Sequence, residues 1–291
     1  MPQSATPQRA IPDARESWIA PDAKTKPLLY VAEVDDKVYV YSYPGGKHLE
    51  GVIGGFGKPS QECVDKAGDV FVTDYTLRKI FEYPHGATSP SHVYDDGVFA
   101  PKGCSIDPVS GDLAVANWAS YDGSRPGNVA IYQPPDPGAK RYVVDTSIDP
   151  MLGCTYDDHG NLYMVGGGNY GSRWALLLYG ARSAVSLRML PKILTAGDLL
   201  WDDNYLTVGD VEKNLIVRYS VSGKTAREAG ATKLAGQVAV PAFWIQGSDA
   251  IAPDQTELAY ALWKYPAGSK PFKEVFTDDY PRAMVVSTVP H

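Results

Sequence analysis

A tyrosine-proline motif followed by glycine recurs along this chain of 291 residues. Full copies begin at Tyr43, Tyr83 and Tyr265, and shorter versions occur at Tyr132, Tyr179 and Tyr219. Successive tyrosines are 40, 49, 47, 40 and 46 residues apart. A period of roughly 40 to 50 residues is typical of β-propellers, in which each repeat forms one four-stranded blade. The repeat predicts the architecture and leaves the chemistry open.

Composition excludes several other classes of protein. Apolar residues make up 44% of the chain and charged residues 21%, which is ordinary for a folded domain. The formal net charge is -7 and no cluster of lysine and arginine occurs, so a nucleic acid is not expected as a partner. The sequence contains no apolar run long enough to span a membrane.

The second repeat shows the strand pattern most clearly. It predicts an inner strand over 62–65, a turn with lysine, alanine and glycine, and a second strand over 69–74. Third and fourth strands are predicted over 79–83 and 91–94. Within these segments valine, phenylalanine and tyrosine alternate with polar residues, the period of two that indicates β-strands.

The first repeat lacks an inner strand, and the end of the chain supplies one. Leu28 to Glu33 already matches a second strand, whereas Arg282 to Val289 is a lone strand with nothing after it. We therefore predict an all-β, six-bladed propeller over residues 28–291, with four-stranded antiparallel blades. Its first blade is closed by the C-terminal strand, which removes an exposed sheet edge.

Residues 1–27 are predicted to form an N-terminal arm, rich in proline, alanine, glutamine and charge. Two interpretations are open: a cytosolic protein with a loose arm, or a secreted or periplasmic protein whose leader is absent from this sequence. We favour the exported protein. We also expect a monomer.

Three features resemble the NHL-type six-bladed propellers. They are a proline before the inner strand (Pro59, Pro101, Pro150 and Pro281), the turn from Asp65 to Gly68, and the strand end Val72-Thr73-Asp74. More narrowly, the runs ECVDKAGDVFVTD and GCSIDPVSGDLAVAN are similar to uncharacterised exported bacterial propeller proteins. The resemblance implies the fold. It implies no activity, because propellers host lactonases, lyases, scaffolds and binding modules alike.

A more distant resemblance to gluconolactonase-type propellers implies a metal site. Those enzymes place glutamate, asparagine and aspartate at the start of inner strands, around one divalent metal. The matching positions here are Glu62, Cys104, Cys154, Asp198 or Leu199, and Ala242. Glu62 and Asp198 fit as ligands of Ca²⁺ or another divalent cation, with Asp74 or Asp210 as a base, but the asparagines are absent. A metal-dependent hydrolase or lyase is therefore the alternative function.

Polar side chains also end most of the second strands. These are Glu33, Asp74, Asn117, Asp210 and Asp254. Such a ring has the hard oxygen ligands that Ca²⁺ prefers. Alternatively, each side chain caps the loop backbone of its own blade. Repetition in nearly every blade favours caps, because a catalytic site needs asymmetry.

The three cysteines are asymmetric. Cys104 and Cys154 each lie three residues before a turn aspartate, so they occupy equivalent positions facing the same way. Cys63 lies two residues before its turn aspartate and faces the other way. A Cys104–Cys154 disulfide is one alternative if the protein is exported, provided the two Cα atoms lie within about 7 Å of each other. The default expectation is three buried thiols.

Two long loops predict the functional surface. Residues 117–128 and 166–173 both follow second strands, which places them side by side at one end of the propeller. They supply Trp118, Tyr121, Asp122, Arg125, Tyr170 and Arg173 as candidate ligand-binding residues. Aromatic faces beside charged groups suit a small molecule or a glycan. The main functional prediction is a ligand- or partner-binding module that uses this loop face of blades three and four, with a small molecule, a glycan or a protein as its partner.

Overall fold

The computed structural model describes residues 17–44, 46, 48–139, 141–143, 148–168, 174–180, 183–190, 193–202, 204–236, 242–254 and 257–289. Its antiparallel sheets are arranged as the blades of a propeller, which confirms the predicted all-β class. Helical structure in these ranges consists of the short 3-10 turn Pro21–Thr25. The described part of the chain contains no helix with the length and hydropathy needed to span a bilayer.

The first sheet brings the two ends of the described chain together. Its strands are β1 (Trp18–Ile19), β2 (Leu28–Glu33), β3 (Val38–Ser42), β4 (Leu49–Ile53) and β25 (Pro281–Ser287), in the order β1-β4-β3-β2-β25. Tyr30 pairs with Val285, so the predicted closure by the C-terminal strand is confirmed. Trp18 pairs with Val52, which adds part of the predicted arm to the outer edge of the sheet.

Three further sheets are simple four-stranded meanders. The second sheet contains β5 (Pro59–Val64), β6 (Val70–Asp74), β7 (Lys79–Tyr83) and β8 (His92–Asp95). The third sheet contains β9 (Phe99–Ile106), β10 (Leu113–Ser120), β11 (Pro126–Tyr132) and β12 (Arg141–Val143). The last sheet contains β21 (Trp244–Gln246), β22 (Asp249–Asp254), β23 (Ala259–Lys264) and β24 (Lys273–Phe276).

The remaining sheet has eight strands, in the order β13-β14-β15-β16-β20-β19-β18-β17. They are β13 (Ile148–Tyr156), β14 (Leu162–Gly168), β15 (Trp174–Gly180), β16 (Ser183–Leu190), β17 (Ala196–Trp201), β18 (Leu206–Asp210), β19 (Leu215–Ser222) and β20 (Thr225–Lys233). Two four-stranded halves join where Arg188 to Leu190 pair in parallel with Thr225 to Arg227.

The predicted count of six separate sheets is therefore wrong for the described ranges, which form five. The reason is the length of two outer strands. β16 has 8 residues and β20 has 9, whereas the outer strand β8 of the second sheet has 4. Arg188 to Leu190 extend β16 past its pairing with β15, and they pair with the open outer edge of β20.

The first strand of each four-stranded unit lines the central axis. β25 contacts β5, β5 contacts β9, β9 contacts β13, β13 contacts β17, and β21 contacts β25. These inner strands begin at one end of the molecule, which we call the upper end. Because neighbouring strands are antiparallel, the second strand of each unit ends there too.

Buried apolar clusters lie between adjoining sheets. Tyr30 and Val40 of the first sheet pack with Val72 and Phe81 of the second. At the far side of the first sheet, Tyr41 packs against Tyr260 of the last sheet, with ring centroids 5.7 Å apart. Fully burying an apolar side chain contributes about 1.5–3 kcal/mol, so these repeated interfaces hold the blades together.

The cysteine pairing differs from expectation. Cys63 is bonded to Cys104, and Cys154 is a buried free thiol. Adjoining sheets stack face to face, so a disulfide between them needs one cysteine on each of the two facing surfaces. Cys63 and Cys104 occupy such a pair of positions. Cys104 and Cys154 point the same way around the ring, which rules out the predicted alternative. Burial raises the pKa of the Cys154 thiol, and only this thiol fits the default expectation.

The closing strand yields the first prediction. Val285 is fully buried opposite Tyr30, so Val285→Asp places an unpaired charge in the closing interface. We expect the free energy of unfolding, measured by urea denaturation, to fall by about 4 kcal/mol or more. Thr288→Asp, at an exposed position just past the strand, is the matched control. Equal stability of Val285→Asp and the unaltered protein would show that the closing strand is dispensable.

The disulfide yields the second prediction. Its half-cystines are 41 residues apart, so replacing Cys63 and Cys104 by serine should lower the unfolding free energy by about 4 kcal/mol. Without reductant, the denatured protein should react with one equivalent of a thiol reagent, through Cys154. Cys154→Ala is the control, which should leave no reactive thiol. Three reactive thiols in protein purified under oxidising conditions would contradict the observed pairing.

Candidate ligand-binding site

A cavity of about 570 Å³ opens at the upper end of the propeller. Its lining comes from the beginnings of inner strands and from the loops that follow second strands. The lining residues are Lys58, Ser60, Gln61, Tyr75, Lys102, Trp118, Leu152, Ala196, Gly197, Asp198, Val211, Ala242 and Arg282. The volume falls within the range of pockets for small molecules, about 300–1,000 Å³.

Three basic side chains converge on this cavity. Lys58 precedes β5, Lys102 lies near the start of β9, and Arg282 lies at the start of β25. Burial lowers the pKa of Lys102. The charge of Asp198 raises this pKa, whereas the positive charges of Lys58 and Arg282 lower it further. Burial likewise lowers the pKa of Arg282. The cavity is therefore a cationic, partly desolvated surface.

Backbone capping positions the first of these cations. The Asp74 carboxylate ends β6 and accepts hydrogen bonds from the backbone N–H groups of Gly57 and Lys58, at 2.6 and 3.2 Å. It also accepts from Thr76 and Leu77 in the following loop, at 3.0 and 2.8 Å. Because one carboxylate holds both segments, Lys58 is presented from a rigid backbone.

Aromatic side chains form one wall of the cavity. The Lys102 ammonium lies over the Trp118 ring, 4.9 Å from its centroid, and the Lys58 ammonium lies 4.9 Å from the centroid of Tyr75. Tyr75 in turn packs against Tyr121, with ring centroids 5.8 Å apart. Such contacts hold lysine side chains in place without neutralising their charge. Among the described residues, the two lysines form no ion pair with a carboxylate.

A hydrogen bond across the axis forms the floor. The Gln61 side chain of β5 donates from Nε2 to the Asp198 carboxyl of β17, a residue 137 positions away. Two glycines make room for this bridge. A Cβ at Gly103 would lie 2.8 Å from Gln61 Oε1, and one at Gly153 would lie 2.8 Å from Asp198 Oδ1. The bridge separates the upper cavity from a second cavity below it.

Asp198 is the acidic group of the floor. Burial raises the pKa of Asp198 to about 7. The Leu199 backbone N–H, the Lys102 charge and the Gln61 side chain lower this pKa, but burial has the larger effect. The carboxyl therefore changes charge near neutral pH. In its protonated form it adds no negative charge to the lining of the upper cavity.

The predicted binding residues divide into three groups. Trp118 lines the cavity, and Tyr121 lies beside it through Tyr75. Asp122 and Arg125 lie in an exposed turn, where the Asp122 carboxylate accepts hydrogen bonds from the hydroxyls of Ser120 and Ser124. These bonds lower the pKa of Asp122, and neither residue lines the cavity. Tyr170 and Arg173 lie outside the described residues.

The ring of polar strand ends acts as a set of caps. Besides Asp74, the Asp210 carboxylate accepts from the Leu194 and Lys213 backbone N–H groups, and Asp254 accepts from Glu257. Glu33 accepts from the backbone N–H of Asp279. Asn117 donates instead, to Asp96 and Asn128. Glu33, Asp74, Asp210 and Asp254 thus bind loop backbone, as the capping interpretation predicts, whereas Asn117 binds two side chains.

The predicted metal ligands lie in different surroundings. Asp74 and Asp210 are occupied by backbone N–H groups, Asp198 lies on the cavity floor, and Glu62 lies below it. Across the described ranges, no three histidine, cysteine, aspartate or glutamate side chains are grouped as a metal site would require. The metal-binding role of these four residues stays a prediction.

Sequence reasoning missed the residues that give the cavity its charge. Each cation is adjacent to a proline that marks an inner strand, in the pairs Lys58-Pro59, Pro101-Lys102 and Pro281-Arg282. Aligning charges on those repeated prolines would have found all three. Gln61 carried no comparable signal, because its partner Asp198 is distant in the sequence.

Comparisons with known proteins give the fold alone. The chain matches no protein-family model and no curated protein. It is similar to a chain in the solved structure titled "Crystal structure of Nidogen/Laminin Complex", with a TM-score of 0.72. The match covers 91% of this chain and all of that chain, at 12% sequence identity. At this sequence identity the similarity supports the propeller fold of this chain, and it assigns no function to any of its residues.

The buried carboxyl groups yield the third prediction. Burial raises the pKa of Glu62 to about 8 and that of Asp198 to about 7, so the folded protein holds protons that the unfolded chain releases above about pH 4.5. Stability should therefore fall as the pH rises from about 5 to 8, by at least about 2 kcal/mol in urea denaturation.

Neutral isosteres test the origin of that slope. Glu62→Gln and Asp198→Asn should each flatten the dependence of unfolding free energy on pH, because the removed carboxyl no longer titrates. Glu274→Gln, at an exposed position of β24, should leave it unchanged. An unchanged slope in the first two variants would place the titrating groups elsewhere.

Proposed function

We propose that this protein is a binding module that takes a small anionic ligand in the upper cavity. The observation that carries the proposal is the convergence of Lys58, Lys102 and Arg282 on one cavity. The acidic group of its described lining is Asp198, which is buried at the floor. Phosphate and carboxylate groups are the anions that lysine and arginine bind most strongly.

The aromatic wall favours a ligand with a ring attached to the anion. Trp118 and Tyr75 offer flat apolar surface directly beside the lysines, and Trp118 is 37% exposed. A planar or sugar ring can stack there while its charged group reaches the cations. The cavity is concave and of metabolite size, which favours a small molecule over a protein as the occupant.

We also propose that the loop face extends across neighbouring blades. Counting the two halves of the eight-stranded sheet as separate blades makes six, as in the NHL-type propellers that the sequence resembles. On that count, β10 and β14 are the second strands of adjacent blades, and we propose Tyr170 and Arg173, which follow β14 in the sequence, as further ligand-binding residues.

Two observations support a binding role outside the cell. The Cys63–Cys104 disulfide is typical of exported proteins, because the cytosol keeps thiols reduced. The similar solved structure is titled as a complex, so a propeller of this shape takes part in binding in at least that case. We propose an exported binding protein on these grounds.

Phenyl phosphate, with phenol as its uncharged match, is the probe that tests the proposed function. Isothermal titration at about pH 6 should detect phenyl phosphate and not phenol, because the phosphate carries the charge that the cations attract. Lys102→Met, which keeps the side-chain length and removes the charge, should weaken binding at least about tenfold.

Lys264→Met is the matched control. Lys264 also lies over an aromatic ring, 4.3 Å from the centroid of Phe272, but it does not line the cavity. This variant should bind phenyl phosphate as the unaltered protein does. Equal affinity for phenyl phosphate in Lys102→Met and the unaltered protein would overturn the proposal, as would equal affinity for phenol.

A further inference from the structure

A second cavity of about 280 Å³ lies below the Gln61–Asp198 bridge. Its walls are the lower halves of the inner strands, and large aromatic side chains predominate on one side. The aromatic lining residues are Tyr156, Trp201, Phe243 and Trp244. This cavity shares Gln61, Asp198 and Ala242 with the upper cavity, so the bridge is the common boundary.

Glu62 is the unusual group of this lower cavity. It lies on β5, is 3% exposed, and its two carboxyl oxygens form no hydrogen bond of normal geometry with any described residue. A buried carboxyl without a partner loses the free energy of its hydration, about 1–3 kcal/mol or more. Buried polar groups are nearly always partnered, and an unpartnered one that lines a cavity indicates a ligand.

The charges around Glu62 define what such a ligand carries. Asp158 and Asp198 also line the cavity, and Lys66 is the basic residue of its lining. Lys66 is exposed and donates to the backbone carbonyl of Pro108 at 2.8 Å. The lower cavity therefore has more carboxyl groups than basic groups, the reverse of the cavity above.

The arrangement of donors and rings selects among cations. A divalent metal needs several hard oxygen or nitrogen ligands, and the described residues contain no group of three such side chains. An organic ammonium ion needs fewer: a carboxylate to accept its N–H groups and aromatic faces to contact its alkyl or aryl part. Glu62 with Phe243 and Trp244 offers both in one cavity.

We propose that the lower cavity is a binding site for a small organic ammonium ion, in which the Glu62 carboxylate accepts the ammonium N–H groups and the aromatic side chains contact the rest of the ligand. The site is separate from the upper cavity, and it stands whether or not an anion binds there.

An ammonium ion beside the Glu62 carboxyl favours its charged form, whereas burial raises its pKa. The titratable groups that share the cavity are Asp158, Asp198, Lys66 and Tyr156.

Benzylammonium is the probe, and benzyl alcohol is its uncharged match. Titration calorimetry of the full chain at pH 7 should detect benzylammonium and not benzyl alcohol. Glu62→Gln, a neutral residue of the same shape, should weaken benzylammonium binding at least about tenfold.

Two controls locate the effect. Glu274→Gln removes an exposed carboxylate of β24 that lines neither cavity, and it should retain binding. Lys264→Met, which also lies outside both cavities, should retain it too. Failure of phenyl phosphate to bind would leave these results unaffected.

Three outcomes would overturn the proposal. The first is absence of benzylammonium binding at millimolar concentration. The second is binding whose affinity is unchanged in Glu62→Gln. The third is calcium binding that depends on Glu62, with no benzylammonium binding in the same assay, which would assign the carboxyl to a metal instead.

Discussion

The pairing of β25 with β2 is the constraint on which the rest of the molecule depends. Tyr30 opposite Val285 converts an open row of sheets into a ring, and a ring is what creates the central axis. The lower end of this closure is tied further: the Ser287 hydroxyl donates to the Gly68 carbonyl at 2.6 Å and contacts His85 Nδ1 at the same distance. The closing strand also carries Arg282 into the upper cavity, so closure and site formation are one event.

A single side-chain bridge then divides the axis into two compartments. Gln61 and Asp198 meet across it, with cations gathered above and carboxyl groups below. Gln61 and Glu62 are adjacent on β5, and alternation along a strand turns them toward opposite faces of the sheet. Electrostatic interactions are stronger where the dielectric constant is low, so basic groups above the bridge and carboxyl groups below it favour ligands of different charge. This is the physical basis for proposing an anion above and an ammonium ion below.

Symmetry and asymmetry have different roles in this propeller. Features repeated in most blades, such as Asp74 and Asp210, bind backbone N–H groups and hold loops in place. Features present in only some blades give the cavities their charge, as Lys58 and Lys102 do. Repetition in the sequence therefore identifies the framework, and departures from it identify the candidate sites. The lysines were missed because they are single residues beside repeated prolines, not part of a recognisable motif.

Local patterns in the sequence were enough for the all-β class, for strands such as Lys79–Tyr83, and for closure through the C-terminal strand. Alternation of side chains and turn chemistry act within a few residues, so the chain itself carries them. The sheet count, the Cys63–Cys104 bond and both cavities were beyond such patterns. They depend on which faces and edges of neighbouring sheets meet, and on contacts such as Gln61 with Asp198 between residues far apart in the chain. Those contacts arise from packing around the axis, which no local segment specifies.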